Sequence, residues 1–85
     1  MTDLCHTFEQ AASDIHRLDY RPDNGTLLKL YALYKQATQG NLTRAQPGFF
    51  DFVGNAKHEA WTQLHDVSKE EAMHRYIALV QQLLA

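Results

Sequence analysis

The stretch Leu27-Leu28-Lys29-Leu30-Tyr31-Ala32-Leu33-Tyr34-Lys35-Gln36-Ala37-Thr38-Gln39-Gly40 decides the fold. At about 100° per residue, Leu27, Leu30, Tyr34 and Ala37 gather on one side of a helix, with Leu33 at its border. Tyr31, Lys35 and Leu28 fall on the adjoining edge. That edge offers an aromatic hydroxyl, a fixed cation and an aliphatic patch within two turns, which suits a ligand with an anionic group and an apolar part. Gly40 stands where a glycine stops a helix.

Working outward, the segment before this helix reads as another. Leu4, Phe8, Ala11, Ala12, Ile15 and Leu18 recur at helical spacing and form one apolar stripe. Thr2 or Asp3 caps its start, and Pro22 ends any helical run. Pro22-Asp23-Asn24-Gly25 reads as a turn, with Asp23 or Asn24 as the cap of the second helix. Beyond Gly40, residues Asn41 to Asp51 lack periodicity and contain Pro47-Gly48. A connection this long exceeds the usual ~2–8 residues between helices, so it is functional or packed on itself. Phe49, Phe50 and Phe52 argue for packing, with at least one pinning the loop to the core; the alternative is that part of this surface lines a ligand channel.

A third helix is expected from Asp51 or Phe52 to Leu64 or His65, with Phe52, Ala56, Ala60 and Leu64 as its inner line and Lys57 and Trp61 one step around. Ser68-Lys69-Glu70-Glu71 matches a capping box and opens a fourth helix, in which Ala72, Met73, Tyr76, Ile77, Val80, Leu83 and Leu84 form a wide apolar stripe. The reading is all-α: four helices in one domain over residues 1–85.

Composition narrows the function. The formal net charge is −2, which speaks against nucleic acid as a partner and requires any polyanionic ligand to be held by a local cation cluster. Cys5 is the only cysteine, so an intramolecular disulfide and a cysteine-rich zinc site are excluded. Residues Met1 to His6 lack a basic stretch followed by an apolar run, so no secretory leader is expected, and no apolar run reaches the ~20 residues of a membrane span. These features fit a cytoplasmic protein. The five histidines form no pair at i, i+4 and no HExxH, and no metal is expected. Cys5 and His6 point apart on a helix, which argues against a nucleophile with an oriented base.

Tyr31-Ala32-Leu33-Tyr34-Lys35-Gln36-Ala37-Thr38-Gln39-Gly40 resembles the signature Tyr-x-x-(Tyr/Phe)-Lys-Gln-Ala-Thr-x-Gly of the acyl-CoA-binding protein family. Pro47-Gly48-Phe49-Phe50-Asp51-Phe52 is similar to its Pro-Gly-x-x-Asp-Phe, and Ala56-Lys57-His58-Glu59-Ala60-Trp61 to its Ala-Lys-Trp-x-Ala-Trp. The segment from Ser68 to Ile77 resembles its Ser-Lys-Glu-x-Ala-Met-x-x-Tyr-Ile. Four such segments in order and without gaps are highly specific, and they cover nearly the whole chain.

The resemblance implies an up-down-down-up four-helix fold. It implies non-catalytic binding, buffering and transport of medium- and long-chain fatty acyl-CoA, without a cofactor. It also implies a monomer with no stable membrane insertion and transient contact with acyl-CoA-using enzymes. By the same resemblance, Tyr31, Lys35 and Lys57 hold the nucleotide end of CoA at its 3′-phosphate, Tyr76 lies near the adenine, and Leu27 and Leu28 lie near the acyl chain, with Ala12 and Val53 as further groove positions. His16 either offers a hydrogen bond or charge to a phosphate or is a solvated histidine. Ammonium groups from two helices clamp a phosphate without bidentate geometry. Taken alone, Lys35 and Lys57 would read as surface charges, and Tyr31, Tyr34 and Tyr76 as core aromatics.

The sequence departs from the family pattern at His16 and Val53, where lysines often stand, at His58, where a tryptophan is common, and at Asp23-Asn24-Gly25-Thr26. The first three concern the strength of the phosphate contacts. Two rival readings are a helical interaction module that has kept the fold but lost tight acyl-CoA binding, and an acyl-CoA-dependent enzyme or hydrolase.

Overall fold

The computed structural model describes residues 3–85. Among them are four helices and no strand: α1, Leu4–Asp14; α2, Asn24–Gln39; α3, Phe52–Thr62; and α4, Lys69–Leu84. Each begins with the same device. The side chain of Asp3, Asp23, Asp51 or Ser68 accepts from the free backbone N–H three residues on, at His6, Thr26, Gly54 and Glu71, over 2.7 to 3.0 Å. The other expected cap for α1, Thr2, lies outside the described residues. The reciprocal arm of the Ser68 capping box is not what Glu71 makes: its carboxylate accepts from Arg75 Nε at 2.8 Å, one turn on.

Helix α1 is shorter than the apolar stripe suggested. It ends at Asp14, and Ile15–Arg17 tighten into a single 3₁₀ turn that presents His16. Helix α2 ends at Gly40 with φ 78° and ψ −150°, a region open almost only to glycine, while the Gly40 N–H still donates to the Gln36 carbonyl at 3.1 Å.

Helix α4 packs on both α1 and α2, and α2 also carries α3, so the helices neighbour one another in the order α1, α4, α2, α3. The main core joins Phe8 and Ala11 of α1, Leu30, Leu33 and Ala37 of α2, and Ala72, Tyr76 and Val80 of α4. Helix α3 adds none of its own residues to that buried set; it is fastened to α2 through Trp61. Trp61, not the line through Phe52, Ala56, Ala60 and Leu64, is its buried residue. Tyr34, expected in the core, is 42% exposed, although its ring stacks on Phe8 at 5.5 Å.

The connection from 40 to 51 overturns one expectation outright. Phe49 and Phe50 are each 82% exposed, Phe52 71% and Val53 66%, so none pins the loop to the core. Polar atoms hold it instead. Asn41 Nδ2 donates to Asp66, and Asn41 Oδ1 accepts from the Asp66 N–H at 2.7 Å, with Asp66 itself at φ 69°. Gln46 donates to Asn55, Asn55 donates to the Gly48 carbonyl, and His58 Nε2 meets the Arg44 carbonyl oxygen at 3.4 Å. A loop that can satisfy its backbone through such side chains has no need of an apolar anchor.

Candidate functional site

Helices α2 and α3 bring two lysines to one ring. Lys57 Nζ lies 5.1 Å and Lys35 Nζ 5.8 Å from the Tyr31 ring centroid. Lys35 also lies 6.0 Å from the Trp61 ring. The arrangement follows from the local fold. Lys35 is one helical turn beyond Tyr31 on α2, and Lys57 is one turn before Trp61, whose indole N–H donates to Gln36 Oε1 at 3.0 Å and to the Gly40 carbonyl at 2.9 Å. Those two bonds fix the rotation of α3 against α2 and hence the approach of Lys57 to Tyr31. Among the described residues, neither lysine has a carboxylate within ion-pair distance. Aromatic faces steady the ammonium groups but leave their charge unneutralised.

Beside Tyr31 opens a groove of about 440 Å³ whose walls include His16, Leu27, Tyr31, Tyr34 and Tyr76. Tyr76 is 4% exposed and its ring sits against Phe8 at 5.1 Å and Tyr34 at 6.1 Å. Burial, with a smaller contribution from Tyr34, holds its phenol above the ordinary value. His16 is exposed at the groove's edge. The structure thus gathers His16, Leu27, Tyr31 and Tyr76 around one groove, with Lys35 and Lys57 on the ring of Tyr31.

It separates others. Leu28 lines a different groove of about 710 Å³, across α2, with Ala56 and Ala60 of α3 and Leu79 of α4. Leu27 and Leu28 are adjacent in sequence, and consecutive helical residues diverge by 100°, so the two belong to different grooves. Of the two, the groove at Tyr31 adjoins the lysine pair. Ala12 is half-buried against the main core, and Val53 stands exposed in the first turn of α3. Phe49 and Phe52 border a third depression, with Asn55 and His58, on the outer side of α3. Among the described residues, no cluster of three histidine, cysteine or acidic side chains is placed to hold a metal, and no helix is long and apolar enough to cross a membrane.

Sequence reasoning missed the polar knot behind the site. Gln36 is 1% exposed. It accepts from Trp61 and donates to Asn41 Oδ1 at 2.9 Å and to the Val67 carbonyl at 2.8 Å. An uncharged amide inside an otherwise apolar helical face was the available signal.

The acyl-CoA-binding protein family model matches residues 6–80. The chain belongs to this family. It is 44% identical over 79 residues to acyl-CoA-binding protein homolog 1 of Caenorhabditis elegans, covering 93% of this chain and 92% of that one. It is 46% identical over 78 residues to the acyl-CoA-binding protein of Saccharomyces cerevisiae, covering 92% and 90%. The crystal structure of Oryza sativa acyl-CoA-binding protein 2 superposes with a TM-score of 0.92 at 43% identity, covering 96% of this chain and 91% of that one. A family member with this fold carries the Tyr31, Lys35 and Lys57 cluster on the same helices that bear the family's sequence segments.

Proposed function

We propose that this family member binds medium- and long-chain fatty acyl-CoA reversibly, and buffers and carries it without altering it. The observation that carries the reading is the convergence of Lys35 and Lys57, from two helices, on the face of Tyr31 at the mouth of an apolar groove. The two ammonium groups hold the 3′-phosphate, and the Tyr31 hydroxyl supplies a further donor. Tyr76 offers a buried aromatic surface and a protonated hydroxyl to the adenine end. His16 at the rim adds a hydrogen bond.

The acyl chain takes the groove lined by Leu27. Each buried methylene contributes about 0.8 kcal/mol, so about ten contribute roughly 8 kcal/mol before the cost of ordering the ligand. Free CoA and free fatty acid each keep only half of these contacts. We place the protein as a monomeric cytoplasmic carrier that meets acyl-CoA-using enzymes transiently. The test is calorimetric titration with palmitoyl-CoA, CoA and palmitate, with a thiol assay alongside. One-to-one binding that is tight for the thioester alone, without CoA release above the protein-free rate, is the expected result; release above it would make the protein a hydrolase.

A further inference from the structure

The cations at the site do not stop at the two lysines. Arg44, in the connection between α2 and α3, places its guanidinium carbon 5.6 Å from the centroid of the Trp61 ring, the same ring that Lys35 approaches at 6.0 Å. Lys57, Tyr31, Lys35, Trp61 and Arg44 therefore form one continuous array in which two aromatic rings separate three positive charges.

We propose that Arg44 is a third cation of the nucleotide site, contacting a phosphate of CoA together with Lys35 and Lys57. The inference rests on the acyl-CoA reading above and adds a residue that reading does not contain.

Three observations support it. The first is pairing. Among the described residues Arg44, Lys35 and Lys57 meet no carboxylate, which is also true of Arg21, Lys29 and Lys69, but Arg44, Lys35 and Lys57 alone gather on shared aromatic rings. Three like charges gathered around two rings repel one another, and a polyanion placed among them removes that cost. The second is anchoring. His58 Nε2 meets the Arg44 carbonyl oxygen at 3.4 Å, and Trp61 is itself fixed by Gln36 and Gly40, so both the backbone and the side chain of Arg44 are held against α3. The third is the chemistry of the group. A guanidinium placed over an indole leaves its N–H donors free, and their fork matches two phosphate oxygens. This also gives a role to His58, which stands where the family often has tryptophan. Arg44 adds a third fixed positive charge beside Lys35 and Lys57.

The test compares wild type, Arg44→Gln and Arg44→Lys by calorimetry with palmitoyl-CoA and with palmitoyl-pantetheine, a thioester that lacks the nucleotide phosphates. Circular dichroism checks that each variant is folded. Arg44→Gln is expected to weaken palmitoyl-CoA about tenfold, to flatten its dependence on salt, and to leave palmitoyl-pantetheine unchanged. Arg44→Lys restores part of the loss, since it keeps the charge and loses the fork. Wild-type affinity for palmitoyl-CoA in Arg44→Gln would overturn the proposal while leaving the acyl-CoA reading intact. An equal loss for both thioesters would also overturn it, because Arg44 would then act through the fold. Absence of palmitoyl-CoA binding in wild type would overturn the reading itself.

Discussion

The indole N–H of Trp61 donates to the side-chain oxygen of Gln36 at 3.0 Å inside the protein, where both residues are almost fully buried. This bond ties α3 to α2, and the Gln36 amide extends the tie to Asn41 and to the carbonyl of Val67. One side chain therefore joins α2, the long connection, α3 and the turn before α4.

Gln36→Leu keeps the volume and removes the polar knot. The Val67 carbonyl loses its donor, and Asn41 loses part of its anchor. A buried group left unsatisfied costs about 1–3 kcal/mol, so we expect the variant to lose about 2 kcal/mol or more in urea unfolding. A loss below about 0.5 kcal/mol would show that the knot contributes nothing to stability.

Asp23 caps α2, and its carboxyl is held below its ordinary value of 3.8 chiefly by the backbone N–H of Thr26, then by the Thr26 side chain, with a smaller contribution from Lys29. A carboxyl whose folded pKa is depressed stabilises the fold above its unfolded pKa, and that stabilisation fades as pH falls through the folded value. Wild type should thus lose stability below about pH 4. Asp23→Asn keeps a capping oxygen but does not titrate, so its thermal midpoint should fall less between pH 5 and pH 3. Parallel acid profiles for the two proteins would contradict this.

Phe49 and Phe50 touch each other edge to face at 5.1 Å but are otherwise exposed. Their replacement by serine should change stability by no more than about 0.5 kcal/mol. Phe8→Ala, in the core, should cost about 3–5 kcal/mol in the same urea assay. A core-sized loss from Phe49→Ser or Phe50→Ser would mean that the loop packs inward in solution.

The helices were legible because their signals are local. Asp23, Gly40 and Ser68 each act within one turn of themselves, and the 3.6-residue stripe of α4 points at one core. The lysine cluster was legible from the family's sequence segments. Beyond the Gln36 knot and the burial of Trp61 in place of the Phe52 line, three further features were not. The Phe49–Phe52 segment looked apolar enough to pack, but a polar network through Asn41, Gln46 and Asn55 held the loop without it. The resemblance put both Leu27 and Leu28 near the acyl chain, and the rotation of α2 sent them to different grooves. Arg44 had no periodic pattern to mark it, since its place is set by the Trp61 ring on another element.

The central claim is that Lys35 and Lys57, gathered on Tyr31, hold the nucleotide of an acyl-CoA. The most direct measurement is the dissociation constant of palmitoyl-CoA for wild type, Lys35→Ala and Lys57→Ala, with palmitoyl-pantetheine as the control ligand. Loss of one charge-assisted phosphate contact should weaken palmitoyl-CoA about 10- to 100-fold in each variant and leave the control unchanged. Wild-type affinity for palmitoyl-CoA in both folded variants would contradict the account.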